Sequence, residues 1–584
     1  MRKARKAVRN SLRFAALAVG LSILTPMASA YYYWIYFAGR SGPFTPIPAK
    51  FDLSTLPNQS IPYLISSQGP AVMMPGDTFN ALISQIRAAA NVWNGVSTSA
   101  ARLSFGGLSP MSQPDSSPEV DVVFDDNMAP GLLAYTRLTT VQDVSGMLAS
   151  GAKFIPVLSA RVQLHNDLTL QSPPQQQSSW SDSFFLTIVH EFGHALGLQH
   201  TLTSSVMSTQ QTAATTKALP LAADDIAGIS LLYPNGTLSN VGSITGTVML
   251  GGAAVNMASV VALSTSGTAV SALTNPDGTY RIDGIPANAG PYFVYVHPLP
   301  PPAQGEAYPD NIVPSQDGSG GQFPATTTFG TQFYGGGADW TSTSPVPVNA
   351  GQSTDGINFN VSARPSGPAI SSVGTYSWLG PNGVAGYQSL AGNAYVTTGP
   401  LQPGASYYIL LAGNGLLVNN RIAPGLSISV IGGSAQVTVA PAVFPIGSGF
   451  LYVTVKTAPG ITNYTPVALS LTLNGDLYVL PSAFGVVPSP PPAISSVSGS
   501  TDGNGNTIVS ISGKNLNQNT KILFDGAPAT GIQVNQDGSL VATAPPAVNG
   551  YQAVVEALSP DSQTSAQLLG ANTPPSFVYS GPSS

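Results

Sequence analysis

Eleven consecutive residues of this chain have the types and spacing that metal chemistry needs: His190-Glu191-Phe192-Gly193-His194-Ala195-Leu196-Gly197-Leu198-Gln199-His200. His190 and His194 stand four apart, so on a helix they project from one face, one turn from each other. Neutral imidazoles at that spacing both reach a single zinc ion at about 2.0–2.1 Å. Glu191, one step from the first histidine, meets a water on that ion rather than the ion itself. Gly197 lets the chain leave the helix and turn back, because glycine tolerates positive φ. His200 then arrives as a third ligand from outside the helix. Three protein ligands leave the fourth position for water, which is the arrangement of a catalytic site; closed structural sites use four ligands and often cysteine. A lone histidine on an apolar helix face is usually just packed. Here the chain holds only five histidines and four glutamates, and three of the former and one of the latter fall at the required spacing. The pattern predicts one zinc in a site of catalytic type.

The elements that must position these residues lie nearby. Phe79, Leu82, Ile83, Ile86, Ala89, Ala90 and Trp93 recur at helical spacing, predicting a helix from Thr78 to about Val96 with Asp77 as its cap. A second helix is predicted from near Ser183 and a third from about Ala223 to Tyr233, behind Asp224 and Asp225. Ile61–Ser66, Val120–Phe124 and Ala160–His165 read as strands. Residues 48–236 are the only region with convincing helices. Before them, residues 31–47 form a short aromatic and proline-rich segment to which the sequence assigns no core.

Beyond Pro234 turn residues recur every ten positions or so, and the runs between them alternate in the β manner. Ile244–Leu250, Ser259–Ser264, Gly278–Ile282 and Tyr292–His297 are expected strands; Pro298–Pro302 reads as a stiff loop and Pro365–Pro368 as a linker. Pro368-Ala369-Ile370-Ser371-Ser372-Val373 recurs identically as Pro492-Ala493-Ile494-Ser495-Ser496-Val497, and Ala412-Gly413-Asn414-Gly415-Leu416 is echoed by Ser512-Gly513-Lys514-Asn515-Leu516. A repeat at this scale means duplicated domains. The tail is predicted to be three all-β sandwich modules, at 241–363, 367–489 and 492–580.

Composition narrows the function classes. At 584 residues the chain has room for several domains, and 43% hydrophobic content supplies their cores. Charged residues are only 8% and the formal charge is −6, with no basic cluster after residue 14, which excludes an electrostatic nucleic-acid binder. Residues 1–30 carry a basic head, a short apolar run from Phe14 to about Leu24 and an Ala28-Ser29-Ala30 end, the three parts of a secretory signal peptide. The apolar run is far short of the ~20 residues of a membrane span, and no other run approaches that length. The mature chain is expected to begin at Tyr31, with 14 basic against 26 acidic side chains, and to be soluble, monomeric and secreted, or held at the cell surface. The absence of cysteine excludes a lipidated N-terminal cysteine, disulfides, and a thiolate as ligand or nucleophile.

The zinc motif, followed by Ser205-Val206-Met207-Ser208, resembles the metzincin metallopeptidases, and among them is most similar to the matrixins. Ile61–Ile65, the helix ending at Trp93, Val120–Phe124 and Asp224–Tyr233 extend the likeness over residues 48–236. The resemblance implies an α+β catalytic domain, a twisted mixed sheet with three helices, and hydrolysis of peptide bonds in protein or peptide substrates. It implies His190, His194 and His200 as zinc ligands, Glu191 as general base and Met207 as support beneath the metal. It implies further that Gly131–Tyr135, with Leu133, Ala134 and Tyr135, is the edge along which an extended substrate lies, and that residues 208–223 shape the pocket for the side chain after the cut. The chain departs from the animal-type pattern. Only His165 and Asp167 stand where a second, structural zinc would need three histidines and an aspartate, so none is expected. No cysteine exists for latency, and residues 31–47 are too short for a folded prodomain. Asp125, Asp126 and Asn127 could contribute oxygens to a calcium ion, although such turn residues are more often simply solvated.

Residues 241–363 resemble a carboxypeptidase regulatory-like sandwich and 492–580 an IPT/TIG immunoglobulin-like domain, with 367–489 a longer, diverged copy. Such modules serve as spacers or bind extracellular glycans or proteins; His297, alone on a strand, reads as structural. The leading expectation is a secreted zinc endopeptidase. The competing one is a surface adhesin or binding protein with a vestigial zinc domain, favoured by the length of the tail and disfavoured by an intact motif. A zinc hydrolase of non-peptide substrates and autoprocessing at the exposed linkers are further expectations.

Overall fold

The computed structural model describes residues 31–580 apart from 111–116, 127, 129–133, 171–177, 209–214, 300–311, 338, 368, 380–400, 440–449, 562 and 568–573. The expected signal peptide, Leu133 and Asn127 lie outside the described residues.

The first domain is built on one mixed sheet. Its strands are β1 (Ile35–Phe37), β2 (Ile47–Lys50), β3 (Ile61–Ser66), β4 (Leu103–Ser109), β5 (Val120–Asp125), β6 (Ala134–Thr140) and β7 (Ile155–His165). They lie in the order β1-β2-β7-β5-β3-β4, with β6 beside β7. β2, β7, β5, β3 and β4 run parallel, whereas β1 and β6 are antiparallel to their neighbours. Central β5 is the apolar run Val-Asp-Val-Val-Phe-Asp with its first four residues buried, as a strand covered on both faces requires.

The long helix Phe79–Asn94 buries Leu82, Ile86, Ala89, Ala90 and Trp93, the stripe that the periodicity predicts. Its cap is Thr78, whose hydroxyl accepts from Ala81 N at 3.1 Å, not Asp77. The Asp77 carboxylate is engaged elsewhere, by the backbone N–H groups of Ser178 (2.5 Å) and Ser179 (3.2 Å). The helix that carries the zinc motif spans Asp182–Ala195, capped by Ser181, and the closing helix spans Ala223–Leu232. Beyond the expected three there is a short helix, Val144–Ala149, nucleated by Asp143 accepting from Gly146 N at 2.9 Å. Six residues are too few to show periodicity.

Residues 31–33, given no core by the sequence, are buried. Tyr33 Oη donates to Gly228 O at 2.8 Å, and Tyr31 N donates to Ser271 O at 2.8 Å. A side chain at Gly228 would meet the Tyr31 ring at 2.7 Å, so a glycine in the closing helix makes room for the tyrosine. The partners of this segment lie about two hundred residues along the chain, which no local pattern reports.

The tail forms three pairs of sheets, each pair enclosing a core. In the first, Val241–Leu250 and Thr279–Pro286 face Ser259–Ser264, Ala269–Leu273 and Tyr292–His297 across Ile244, Val248, Ile282, Val260, Ala262 and Val294. In the second, Ser406–Asn414 and Phe450–Thr457 face Ser427–Ile431, Thr465–Leu473 and Asp476–Val486. In the third, Thr507–Lys514 and Leu540–Thr543 face Lys521–Phe524 and Gln552–Leu558. The repeat occupies matching places: strand Ser371–Leu379 pairs antiparallel with Ser406–Asn414 as Ala493–Thr501 pairs with Thr507–Lys514. Strand Gln316–Asp317, from a loop of the first sandwich, joins the sheet of the first domain, parallel to β1. Among the described residues no helix is long and apolar enough to cross a membrane.

Candidate metal centre

The helix Asp182–Ala195 carries His190 and His194 on one face, and Gly197 with φ +108° turns the chain so that His200 comes back to them. A Cβ at Gly197 would lie 2.7 Å from Ala49 O, so this turn also needs glycine for space. The three Nε2 atoms converge: His200 lies 3.2 Å from His190 and 3.3 Å from His194. Two nitrogens about 2.05 Å from one ion at the tetrahedral angle stand about 3.3 Å apart, so the spacing fits zinc. The other ring nitrogens fix the tautomers. His190 Nδ1 donates to Val206 O at 2.7 Å and His194 Nδ1 to Leu198 O at 2.8 Å, leaving Nε2 of both as a lone pair for a metal. Burial drives both imidazoles toward the neutral form, His190 down to about 3. Among the described residues this triad is the only grouping of three or more metal-ligating side chains.

Glu191, next to His190 on the same helix, is buried. Burial pushes its carboxyl up to about 7, against the opposing effect of a hydrogen bond from Thr136. Thr136 Oγ1 donates to Glu191 Oε2 at 2.7 Å. Thr136 lies on β6, directly after Ala134 and Tyr135, and β6 pairs only with β7 among the described strands. Sequence reasoning stopped one residue short of it. The available signal was alternation: Ala134, Thr136 and Leu138 share a face of the strand.

Met207 lies buried against Gly193, between the two helical histidines. A Cβ on Gly193 would be 2.9 Å from Trp93 Cζ2, 3.1 Å from Met207 Cε and closer still to its Sδ, so the glycine between the two helical ligands admits Met207 and Trp93 to the helix surface. Trp93 Nε1 donates to Val189 O at 2.9 Å, tying the long helix to the ligand helix. The turn bearing Met207 is held by Asp225, whose carboxylate accepts from Val206 N at 3.0 Å, Met207 N at 3.3 Å and Ala222 N at 2.8 Å. Asp224 accepts from Thr203 Oγ1 at 2.5 Å and from Ser271 N at 2.9 Å in the first sandwich. Burial raises both carboxyls, Asp224 to about 7 and Asp225 to about 6.

Two further groups were not predicted. Trp34 stands edge-on to His194 with ring centroids 5.8 Å apart. Gln199, beside the third ligand, donates to Tyr33 O at 2.6 Å and accepts from Val313 N at 2.6 Å. The carboxylates named for calcium have amide partners: Gln163 donates to Asp125 at 2.7 Å and Asn166 to Asp126 at 3.1 Å. His165 accepts from Asp167 N at 3.0 Å.

A mixed sheet, a HExxH helix, a third histidine beyond a glycine turn and a buried methionine packed against that helix together make up the first domain. Residues 61–234 match the model of the matrixin family and residues 492–569 that of the IPT/TIG domain, so the chain carries a matrixin domain followed, at its far end, by an IPT/TIG domain. No curated protein matches the chain. Among solved structures it is similar to a three-immunoglobulin fragment of titin at 10% identity and a TM-score of 0.13, covering 31% of this chain and 62% of that one. A Bacteroides ovatus protein of a mixed-linkage glucan utilization locus, solved with a mixed-linkage heptasaccharide, gives 14% identity and a TM-score of 0.16, with 56% and 60% covered. Fervidolysin from Fervidobacterium pennivorans, a keratinolytic enzyme related to subtilisin, gives 14% identity and a TM-score of 0.13, with 44% and 31% covered. The chain thus spans less than two thirds of each of these structures.

Proposed function

We propose that the chain is a secreted zinc endopeptidase that hydrolyses extracellular proteins, with Glu191 as its general base. The observation that carries this reading is the convergence of three histidine Nε2 atoms at tetrahedral spacing, two of them with their tautomer fixed, in a helix that also carries a buried carboxylate. Zinc held by His190, His194 and His200 supplies a Lewis acid that polarises a peptide carbonyl and acidifies water. Thr136 occupies Oε2 of Glu191, which leaves Oε1 to take a proton from the attacking water and hand it to the leaving amine. The free edge of β6 at Ala134 and Tyr135 supports substrate binding by strand addition, and Trp34 walls the site beside His194.

The deciding experiment compares hydrolysis of an unstructured protein by the zinc-loaded chain and by Glu191→Ala, with metal content measured in both. Equal zinc and chelator-sensitive cutting by the native chain alone support the reading. Zinc bound with no cutting of any of several unstructured substrates refutes it and moves attention to the tail as a binding surface.

A further inference from the structure

We infer that the C-terminal IPT/TIG module is a docked wall of the metal-bearing domain, and that Glu556 is a positioning residue for the loop that leaves the floor of the zinc site. Its strand Gln552–Leu558 reads Gln-Ala-Val-Val-Glu-Ala-Leu. A strand with one face in its own core should alternate buried and exposed, yet every residue from Ala553 to Leu558 is buried. Ala553, Val555 and Ala557 fill the module's core. On the opposite face Val554 packs with Trp180, just ahead of the ligand helix. Glu556, on that face, makes a 2.7 Å ion pair with Lys217, and the two side chains are only 3% and 1% exposed.

Lys217 lies on the segment that runs from Met207 to the closing helix. Its ammonium stands 5.2 Å over the Phe185 ring of the ligand helix. Asp182, the first residue of that helix, accepts from Lys217 N at 3.5 Å and from Thr564 Oγ1 of the module at 3.3 Å. Lys217 therefore links two anions, one of the module through its ammonium and one at the start of the ligand helix through its backbone N–H. A second contact fixes the module's orientation: Gly526, at φ +86°, lies against the long helix, where a Cβ would come within 3.0 Å of Gln85 and 3.1 Å of Ala88. Removing one partner of a buried pair strands the other charge, whereas replacing both by apolar groups is often neutral. Glu556 thus acts through Lys217 on residues 215–222, the described part of the segment expected to shape the pocket after the cut. Only that last role rests on the peptidase reading.

The test is hydrogen–deuterium exchange on the zinc-loaded full chain, with steady-state kinetics on peptides varied at the residue after the cut. In Glu556→Gln, amides of 215–222 and 182–186 should exchange at least tenfold faster, while 507–514 and 552–558 keep native protection and one zinc stays bound. KM should rise severalfold with kcat within twofold. Lys217→Met/Glu556→Leu should return exchange to within threefold of native. Unchanged exchange at 215–222 in Glu556→Gln overturns the inference, and so does equal loosening of 552–558, which would make Glu556 a folding residue of its own module. A double variant as loose as the single one, or a kcat loss at fixed KM, overturns it as well. If the native chain cuts nothing, the peptidase reading falls and the exchange data still decide the docking.

Discussion

Gly193→Ala sets two effects of known size against each other. Within a helix, replacing glycine by alanine stabilises by about 1 kcal/mol through backbone entropy. At this position the new methyl would sit 2.9 Å from Trp93 Cζ2 and 3.1 Å from Met207 Cε, inside van der Waals contact with two fully buried side chains. Trp93 cannot swing away without losing its bond to Val189 O, and Met207 is enclosed in the hydrophobic core. Overpacking of a tight core costs about 1–3 kcal/mol and more where neighbours cannot move. With both neighbours pinned, the clash should outweigh propensity and leave a net loss of about 1–2 kcal/mol. The same displacement pushes on the turn whose Val206 carbonyl orients His190, and loss of such an outer contact lowers metal affinity about 10–100-fold. Denaturant unfolding of the zinc-free chain measures the first quantity, and competition with a chromophoric chelator the second. An alanine variant about 1 kcal/mol more stable than native, with native zinc affinity, would refute the packing account, because propensity alone would then explain the result.

Thr136→Val removes the donor to Glu191 at nearly constant volume. A hydrogen bond to a charged group contributes about 1.5–3 kcal/mol, so kcat/KM should fall about 10–100-fold with zinc content unchanged and Thr136→Ser close to native; native kinetics in the valine variant would remove Thr136 from the site. His297, held by Thr331 Oγ1 at 2.6 Å and edge-on to Tyr478, is pushed down to about 3 by burial and by the charge of Arg364. Between an unfolded value of about 6.5 and that figure only the unfolded chain takes the proton, so this residue removes stability as pH falls through the interval. The stability gap between native and His297→Gln should therefore shrink by about 2–3 kcal/mol between pH 7.5 and 4.5, read by denaturant unfolding; a constant gap would mean that His297 titrates alike in both states.

The histidine triad was legible because the code is local: His190, His194 and His200, with Glu191 and Gly197 between them, are fixed relative to one another by one helix and one turn. The long helix was legible for the same reason, its apolar stripe recurring every three or four residues. Its cap was misread because Asp77 and Thr78 are both good caps, and the choice was settled by Ser178 and Ser179, about a hundred residues away, which engage the aspartate. Thr136 and Asp225 act on the site through side-chain hydrogen bonds between separate elements, and such bonds leave no period in a sequence. Tyr31 and Tyr33 were unreadable for a similar reason: their burial depends on a glycine in the closing helix and a strand of the first sandwich. Lys217 and Glu556 are each an isolated charge in an apolar stretch, and only the fold brings them together.

The strand Gln316–Asp317 beside β1, the Ser271 donors to Asp224 and the Lys217–Glu556 pair share a property that concerns the order in which the chain is made. Every zinc ligand is present once residue 200 has been synthesised, but the frame around them closes only with segments that arrive tens to hundreds of residues later. Loop closure over such distances makes these contacts late and slow relative to the helix that carries the histidines. A nascent chain ending near Pro234 would hold the three imidazoles with Asp224 lacking its Ser271 donors and Lys217 lacking its counter-ion. The surroundings of the histidine triad are thus completed by segments that follow it in the chain by about 70 to 360 residues.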